Sequence, residues 1–249
     1  MTIKNRRILF IVLLFFLSIL AAAYRYGPYK VSFLGHYDKV WAHRVNSTEK
    51  LSFALQYFNG IELDLVYISK KNYFDVNHPP TESIGLTFEN YLSNIKLDAQ
   101  PFLWLDIKNL RTNNSEKIKN HLCELFNKVQ FPLDKVLIES SSIEALLPFT
   151  KIGVKTTLNF SVVLNNLKNP NFLRENRNLD SILNSHTEIG VSASYRHYGV
   201  VNSRFPSRDK YIWILSHSKI KEHRLVRSIL NNDKVKVVLA PYGPITGNR

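Results

Sequence analysis

From residue 40 onward, short β-rich runs alternate with longer stretches of helical period. The runs fall at about 40–44, 60–68, 102–109, 135–141, 155–161, 188–195, 209–217 and 235–242, most of them bounded by Gly, Asn, Asp or Ser. Several are apolar on both faces, the composition of a parallel sheet covered by helices. Helix starts lie between them. Asn46-Ser47-Thr48-Glu49 has the form of a capping box opening 47–58, and Ser115-Glu116 opens 115–129 with Ile118, Leu122 and Leu125 on one face. Ser142 opens 142–150, Ser218 precedes 219–231, and the Asn-rich stretch 162–186 reads as a loop and a helix ending near Leu183. About eight such alternations predict an α/β fold, a single (β/α)8 TIM-type barrel over 40–249 with no second domain.

The segment ahead of the barrel has a different character. Lys4, Arg6 and Arg7 precede the apolar run Ile8–Leu20 and then Ala21-Ala22-Ala23. A basic start, an apolar stretch and a small-residue end describe a secretory signal, and continuation to Tyr24 makes an uncleaved anchor the other reading. Either way the remainder is expected across the membrane, exported to a periplasmic or extracellular space or anchored there by the N-terminal hydrophobic helix. Residues 1–23 are therefore read as signal peptide or membrane anchor, and 24–39, with Gly27, Pro28 and Gly35, as a linker. The formal charge of +13 favours anionic partners. No dense Lys/Arg run interleaved with aromatics follows the N-terminus, so nucleic acid is not expected. The one cysteine, Cys123, excludes an internal disulfide and a Cys-rich zinc centre, and reads as a small buried hydrophobe in a helix.

Charge interrupts the early strands. His43-Arg44 ends the first run, Glu62 and Asp64 sit inside the second, and Asp106 and Lys108 sit at the end of the third. An unpaired ion on a buried strand costs several kcal/mol, so a series of them is better explained by a site than by packing. Glu62 and Asp64 are two apart and share a face, with Ile61, Leu63 and Leu65 on the other. In a barrel this puts the aliphatics toward the helices and the acids inward, where they crowd each other unless a cation lies between them. Asp106 could complete an oxygen-rich set that suits Mg2+ or Ca2+ better than zinc. His43 and His78 are candidates for acid–base work, and Arg44 and Lys108 for fixed positive charge against a phosphate.

Taken together, His43-Arg44, Glu62-x-Asp64, His78 in the following loop and Asp106-x-Lys108 resemble the glycerophosphodiester phosphodiesterase superfamily of phospholipase-C-like barrels. Val136-Leu137-Ile138-Glu139-Ser140-Ser141 is similar to the fourth strand of that family. The resemblance implies a metal-dependent phosphodiester hydrolase. Glu62, Asp64 and Asp106 would hold the ion, His43 and His78 would divide general base and general acid, and Arg44 and Lys108 would stabilise the transition state. The implied substrate is an anionic glycerophosphodiester or a phospholipid headgroup. Asp106 stands where the commoner residue is Glu and is similar to the sphingomyelinase D-like branch, which gives a phospholipase as one alternative. Trp41-Ala42-His43, Glu62-x-Asp64 and His78-Pro79-Pro80 are similar to the menorin-type extracellular proteins, which gives a non-catalytic binding protein on the same barrel as another.

Glu139, Asn159, Ser192, Tyr195, His217 and Tyr242 lie near the ends of later runs, where they could line the pocket or simply pack. Trp104 and Trp213 read as core, and Asp75 as a solvated loop residue. Asn46, Asn113 and Asn159 head glycosylation triplets, and Asn46 also has the chemistry of a helix cap.

Overall fold

Strands buried on both faces need helices between them, and the chain supplies both. The computed structural model describes residues 3–26, 29–96, 98, 100–166, 168–175, 177–215 and 220–242. Among these, eight parallel strands close on themselves: β1 (Val40–Ala42), β2 (Gly60–Ile68), β4 (Phe102–Ile107), β5 (Val136–Ser140), β6 (Lys155–Asn159), β7 (Gly190–Ser194), β8 (Lys210–Trp213) and β9 (Val235–Ala240). Each pairs with the next, and β1 pairs with both β2 and β9, so the sheet is a barrel without edges.

The helices are α1 (Ile3–Tyr26), α2 (Thr48–Ala54), α3 (Phe88–Leu92), α4 (Ser115–Lys128), α5 (Leu147–Lys151), α6 (Phe160–Asn165), α7 (Pro170–Glu175), α8 (Leu179–Ser185), α9 (Tyr198–Arg204) and α10 (Ile220–Leu230). The cap of α2 is Ser47, whose hydroxyl accepts from the Lys50 amide at 3.2 Å. The Asn-rich stretch resolves into three short helices, the first started early by Asn159, which accepts from the Val162 amide and so ends β6 before Phe160. Cys123 lies on α4, partly buried.

One strand departs from the alternation. Tyr73–Val76 forms β3, antiparallel to the far half of β2, with Leu65 opposite Val76 and Ile68 opposite Tyr73. Asp75 is therefore not a solvated loop residue. It is buried on this hairpin, where it accepts the Ser83 hydroxyl at 2.7 Å. The correction follows from the pairing, since a four-residue strand has too little length to show an alternation of its own.

The core has two parts. Between barrel and helices lie Ile61, Leu63, Leu65, Leu103, Leu105, Ile107 and their neighbours, the aliphatic face expected of β2 and β4. Inside the barrel, at the end where the strands begin, Trp41, Trp104, Leu137, Tyr211, Val237 and Leu239 form a second cluster. Gly60 belongs to it by absence: a Cβ there would lie 2.3 Å from the Trp41 ring. These rings separate the cavity at the C-terminal ends of the strands from a second one at their starting end, lined by Trp41, Phe102, Leu137, Tyr211 and Val237.

α1 is long and apolar enough to cross a bilayer, with a mean hydropathy of 2.0 over Asn5–Ala22, and none of that stretch is buried against the barrel. Residues 29–39 fold as two short 3-10 turns, Val31–Phe33 and Tyr37–Lys39, with Phe33 buried in the core.

Candidate active site

Alternation along the strands decides which side chains face the barrel interior, and the last inward residues of four adjacent strands are charged or polar: His43 after β1, Glu62 and Asp64 on β2, Asp106 on β4 and Glu139 on β5. Asp64 lies opposite Asp106, and Asp106 opposite Glu139, in the parallel registers. One cavity of about 200 Å3 is lined by all seven residues singled out from the sequence, His43, Arg44, Glu62, Asp64, His78, Asp106 and Lys108. It opens at the C-terminal ends of the strands, the end at which this fold carries its active sites.

Glu62, Asp64 and Asp106 each offer a carboxylate oxygen within 4.8 Å of the others. Lys108 closes one side. Its ammonium lies 2.5 Å from Asp64 Oδ1 and is also paired with Asp106. Burial opposes the Lys108 charge, yet Asp106 and Asp64 outweigh it and raise the ammonium above its ordinary range. One cation against three carboxylates leaves two negative charges uncompensated. Burial and then the neighbouring Asp64 and Asp106 accordingly push Glu62 well above the usual carboxylate range, and burial raises Asp106 as well. A set of hard oxygen donors with this deficit fits a divalent cation of the Mg2+ or Ca2+ type.

The supports of these carboxylates are built into the backbone. Arg44 adopts a left-handed conformation, φ 57°, which for a residue other than glycine costs of order 1 kcal/mol or more. The turn aims the Arg44 amide at Glu62 Oε2, 2.7 Å away, and the Val45 amide at the Glu62 carbonyl, 2.8 Å away. Asn46 donates to Asp64 Oδ2 at 2.6 Å and accepts from the Asp64 amide at 2.9 Å. Asn46 is thus neither helix cap nor exposed acceptor; it is the clamp of the second carboxylate, and its amide chemistry alone could not separate these roles.

His43 points Nδ1 at the Ile214 carbonyl, 3.4 Å away, and Nε2 at Glu62 Oε2, 3.7 Å away. Nδ1 carries the proton in this arrangement, so Nε2 is bare toward the cavity. Burial, then the Arg44 charge, lowers the imidazole to about 4. His78 reaches the cavity from the segment after β3, where its Nε2 accepts from the Arg44 guanidinium at 3.0 Å. The hairpin delivers it: the Asn77 amide donates to the Asp64 carbonyl at 3.1 Å, fixing His78 one residue beyond the second carboxylate's strand.

Glu139 and Asn159, weaker candidates from the sequence, also line the cavity. Glu139 accepts from the Trp104 indole at 2.6 Å and the Ser192 hydroxyl at 3.0 Å, and burial followed by Asp106 raises it to about 8. Trp104 is core and at the same time holds a site carboxylate. Trp213 packs against the inner core cluster, as expected, and also lines the cavity. Tyr195 bonds Glu222 and Tyr242 bonds the Lys50 carbonyl, both away from the cavity, while Ser216-His217-Ser218 falls outside the described residues.

The sequence matches no protein-family model and no curated protein. Solved structures do match. A glycerophosphodiester phosphodiesterase from Parabacteroides distasonis superposes with a TM-score of 0.56 at 12% identity, covering 81% of this chain and 92% of its own. One from Thermotoga maritima gives 0.52 at 15% identity, covering 82% and 94%. A phosphodiesterase from Oleispira antarctica, solved with the product sn-glycerol-3-phosphate, gives 0.55 at 14% identity, covering 81% and 92%. At such identities the likeness is one of architecture, and by that measure the chain has the closed barrel fold of the glycerophosphodiester phosphodiesterases.

Proposed function

We propose that the chain is a divergent glycerophosphodiester phosphodiesterase, a metal-dependent hydrolase of phosphodiesters that works by histidine acid–base catalysis. The observation that carries this reading is the convergence of His43, Arg44, Glu62, Asp64, His78, Asp106 and Lys108, from four separate segments, on one cavity at the mouth of a barrel of that architecture. Glu62, Asp64 and Asp106 would hold a divalent cation, which when bound polarises the phosphoryl oxygens. The bare Nε2 of His43 takes the proton of the attacking hydroxyl, from water or from the substrate, as its oxygen bonds to phosphorus. The bond from phosphorus to the leaving oxygen breaks, the departing alcohol takes a proton from His78 in its imidazolium form, in which Nε2 no longer accepts from Arg44, and the proton on His43 passes to water. Arg44 and Lys108 set positive charge beside the phosphoryl oxygens, where charge builds in the transition state. The product seen in the Oleispira antarctica enzyme supports a glycerol phosphate as one product here.

The same cavity argues against a barrel that has lost turnover. His43 lies within one water's reach of the carboxylates, and His78 shares the lining, so both proton-transfer groups stand at the ion site. Phosphorus NMR of glycerophosphodiesters and lysophospholipids incubated with the full chain in detergent, with Mg2+, Ca2+ or EDTA, tests the proposal. Turnover that EDTA abolishes and that His43→Ala lowers by about 10²- to 10⁴-fold is expected. A cyclic or monoester lipid phosphate as product would move the reading to the sphingomyelinase D-like branch. Bound metal with no turnover on any substrate would move it to a binding protein.

A further inference from the structure

The end of the barrel opposite the cavity carries a surface that the proposed reaction does not use. α1 ends at Tyr26, and residues 29–39 are pinned to the rim where the strands begin. Tyr29 meets Tyr37 and Tyr57 edge-on, with centroids 5.6 and 5.9 Å apart. Arg227 of α10 donates to the Leu34 carbonyl, and His36 Nε2 bonds the Asn231 side chain at 2.9 Å. Lys39 donates to the carbonyls of Leu230 and Asn232 at 3.2 and 3.3 Å. Arg227 and Leu230 lie at the end of α10, and Asn231 and Asn232 in the turn between α10 and β9, on the N-terminal rim.

This pinned segment turns apolar side chains outward: Val31 is 66% exposed, Tyr29 58% and Leu34 53%. A trough of about 640 Å3 runs between Tyr24, Val31 and Leu34 on one side and Arg224 and Arg227 of α10 on the other. Single exposed aliphatics need no explanation. Here they cluster with tyrosines and arginines directly after an exposed apolar helix, which is the composition of a membrane interfacial belt. A second copy of the same surface is a poorer occupant, because a two-fold contact would bring its arginines together.

We propose that the N-terminal rim of the barrel rests on the membrane that holds α1. Val31 and Leu34 enter the interfacial layer, Tyr24 and Tyr29 sit at headgroup level, and Arg224 and Arg227 face anionic phosphates. The proposal rests on α1 being a retained anchor. Its consequence is orientation. Gly60 opens β2 at that rim and Asp64 lies four residues further along it, roughly 13 Å of strand, with the cavity mouth beyond. The cavity mouth therefore faces away from the anchoring membrane, and substrate enters from the aqueous side.

The test is depth-dependent quenching of the full chain in vesicles of phosphatidylcholine and phosphatidylglycerol carrying nitroxide-labelled lipid. Single fluorophores are placed through Phe15→Cys, Leu34→Cys or Lys70→Cys in a Cys123→Ser background. Lys70, exposed in the turn joining β2 to β3, marks the mouth side. The label at 34 is expected to lose about half its emission or more, the depth of an interfacial side chain, while the label at 70 is unchanged. Quenching at 15 with none at 34 would overturn the proposal alone, leaving an anchored barrel that hangs free. No quenching at 15 would overturn the anchor reading and the proposal with it. Energy transfer between copies labelled at 34, without lipid quenching there, would replace the membrane by a second copy of the chain.

Discussion

Asn46 holds Asp64 by both ends of its amide, donating to the carboxylate and accepting from the backbone. A side chain that fixes a ligand's rotamer without touching the ion acts on affinity through orientation. Asn46→Ala is expected to weaken divalent-cation binding by about 10- to 100-fold, measured calorimetrically, with the fold retained. Asn46→Asp should do worse than alanine, since it adds a fourth negative charge beside Glu62, Asp64 and Asp106 and replaces the donor that Asp64 uses. Arg44 shows the same division of labour. Its backbone serves Glu62 and its guanidinium serves His78, so Arg44→Ala should disturb the histidine and spare the carboxylate. Charged residues on strands were visible in the sequence because burial makes them expensive. Asn46 was not, because a carboxamide beside a helix start is equally consistent with a cap.

Among the elements, most of the parallel strands were legible because burial on both faces makes them apolar runs, to within a few residues at the ends, whereas β6, Lys155-Thr156-Thr157-Leu158-Asn159, is not one. The β2–β3 hairpin was not, since its partner strand is short and its stability comes from pairing with β2. The weight of tertiary context is also seen at the start of β2. Gly60 lies beneath the Trp41 indole, and Gly190 at the start of β7 lies beneath the Tyr211 ring, where a Cβ would approach to 2.5 Å. Both glycines let large rings fold over strand backbones and plug the barrel. Gly60→Ala forces the indole or the strand to move and is expected to cost about 1–3 kcal/mol, read from urea unfolding, with metal affinity less affected because Glu62 sits further along the strand.

At the scale of the whole molecule, the buried acids couple stability to pH and, on the proposed reading, to a bound cation. Glu62 and Glu139 have carboxyls raised by burial and by neighbouring carboxylates, Glu139 to about 8. Between pH 6.5 and 8 the folded chain retains protons that the unfolded chain has lost, so stability falls as pH rises, by up to about 1.4 kcal/mol per pH unit for each proton held. His43, lowered to about 4, acts the other way, chiefly between that value and its unfolded value near 6.5, so it opposes the slope only at the low end of this window. Thermal melts of the chain in EDTA should drop from pH 6.5 to pH 8. Mg2+ or Ca2+ should flatten that slope, because a cation among the carboxylates favours their charged form.

The hairpin has one further consequence, for how this barrel can vary. His78 hangs from an antiparallel ladder whose rungs join Leu65 to Val76 and Ile68 to Tyr73. Side chains on such a ladder change face at every step. Shortening the tip by a matched pair, one residue from each strand, leaves the rung at Leu65 and Val76 untouched and His78 over the carboxylates. Removing one residue alone obliges the ladder to bulge or slip, and a slip turns the face that carries Asp75 inside out. Changes within the ladder are therefore confined to matched pairs, and a single-residue change between the second carboxylate and the second histidine falls to the four-residue turn 69–72.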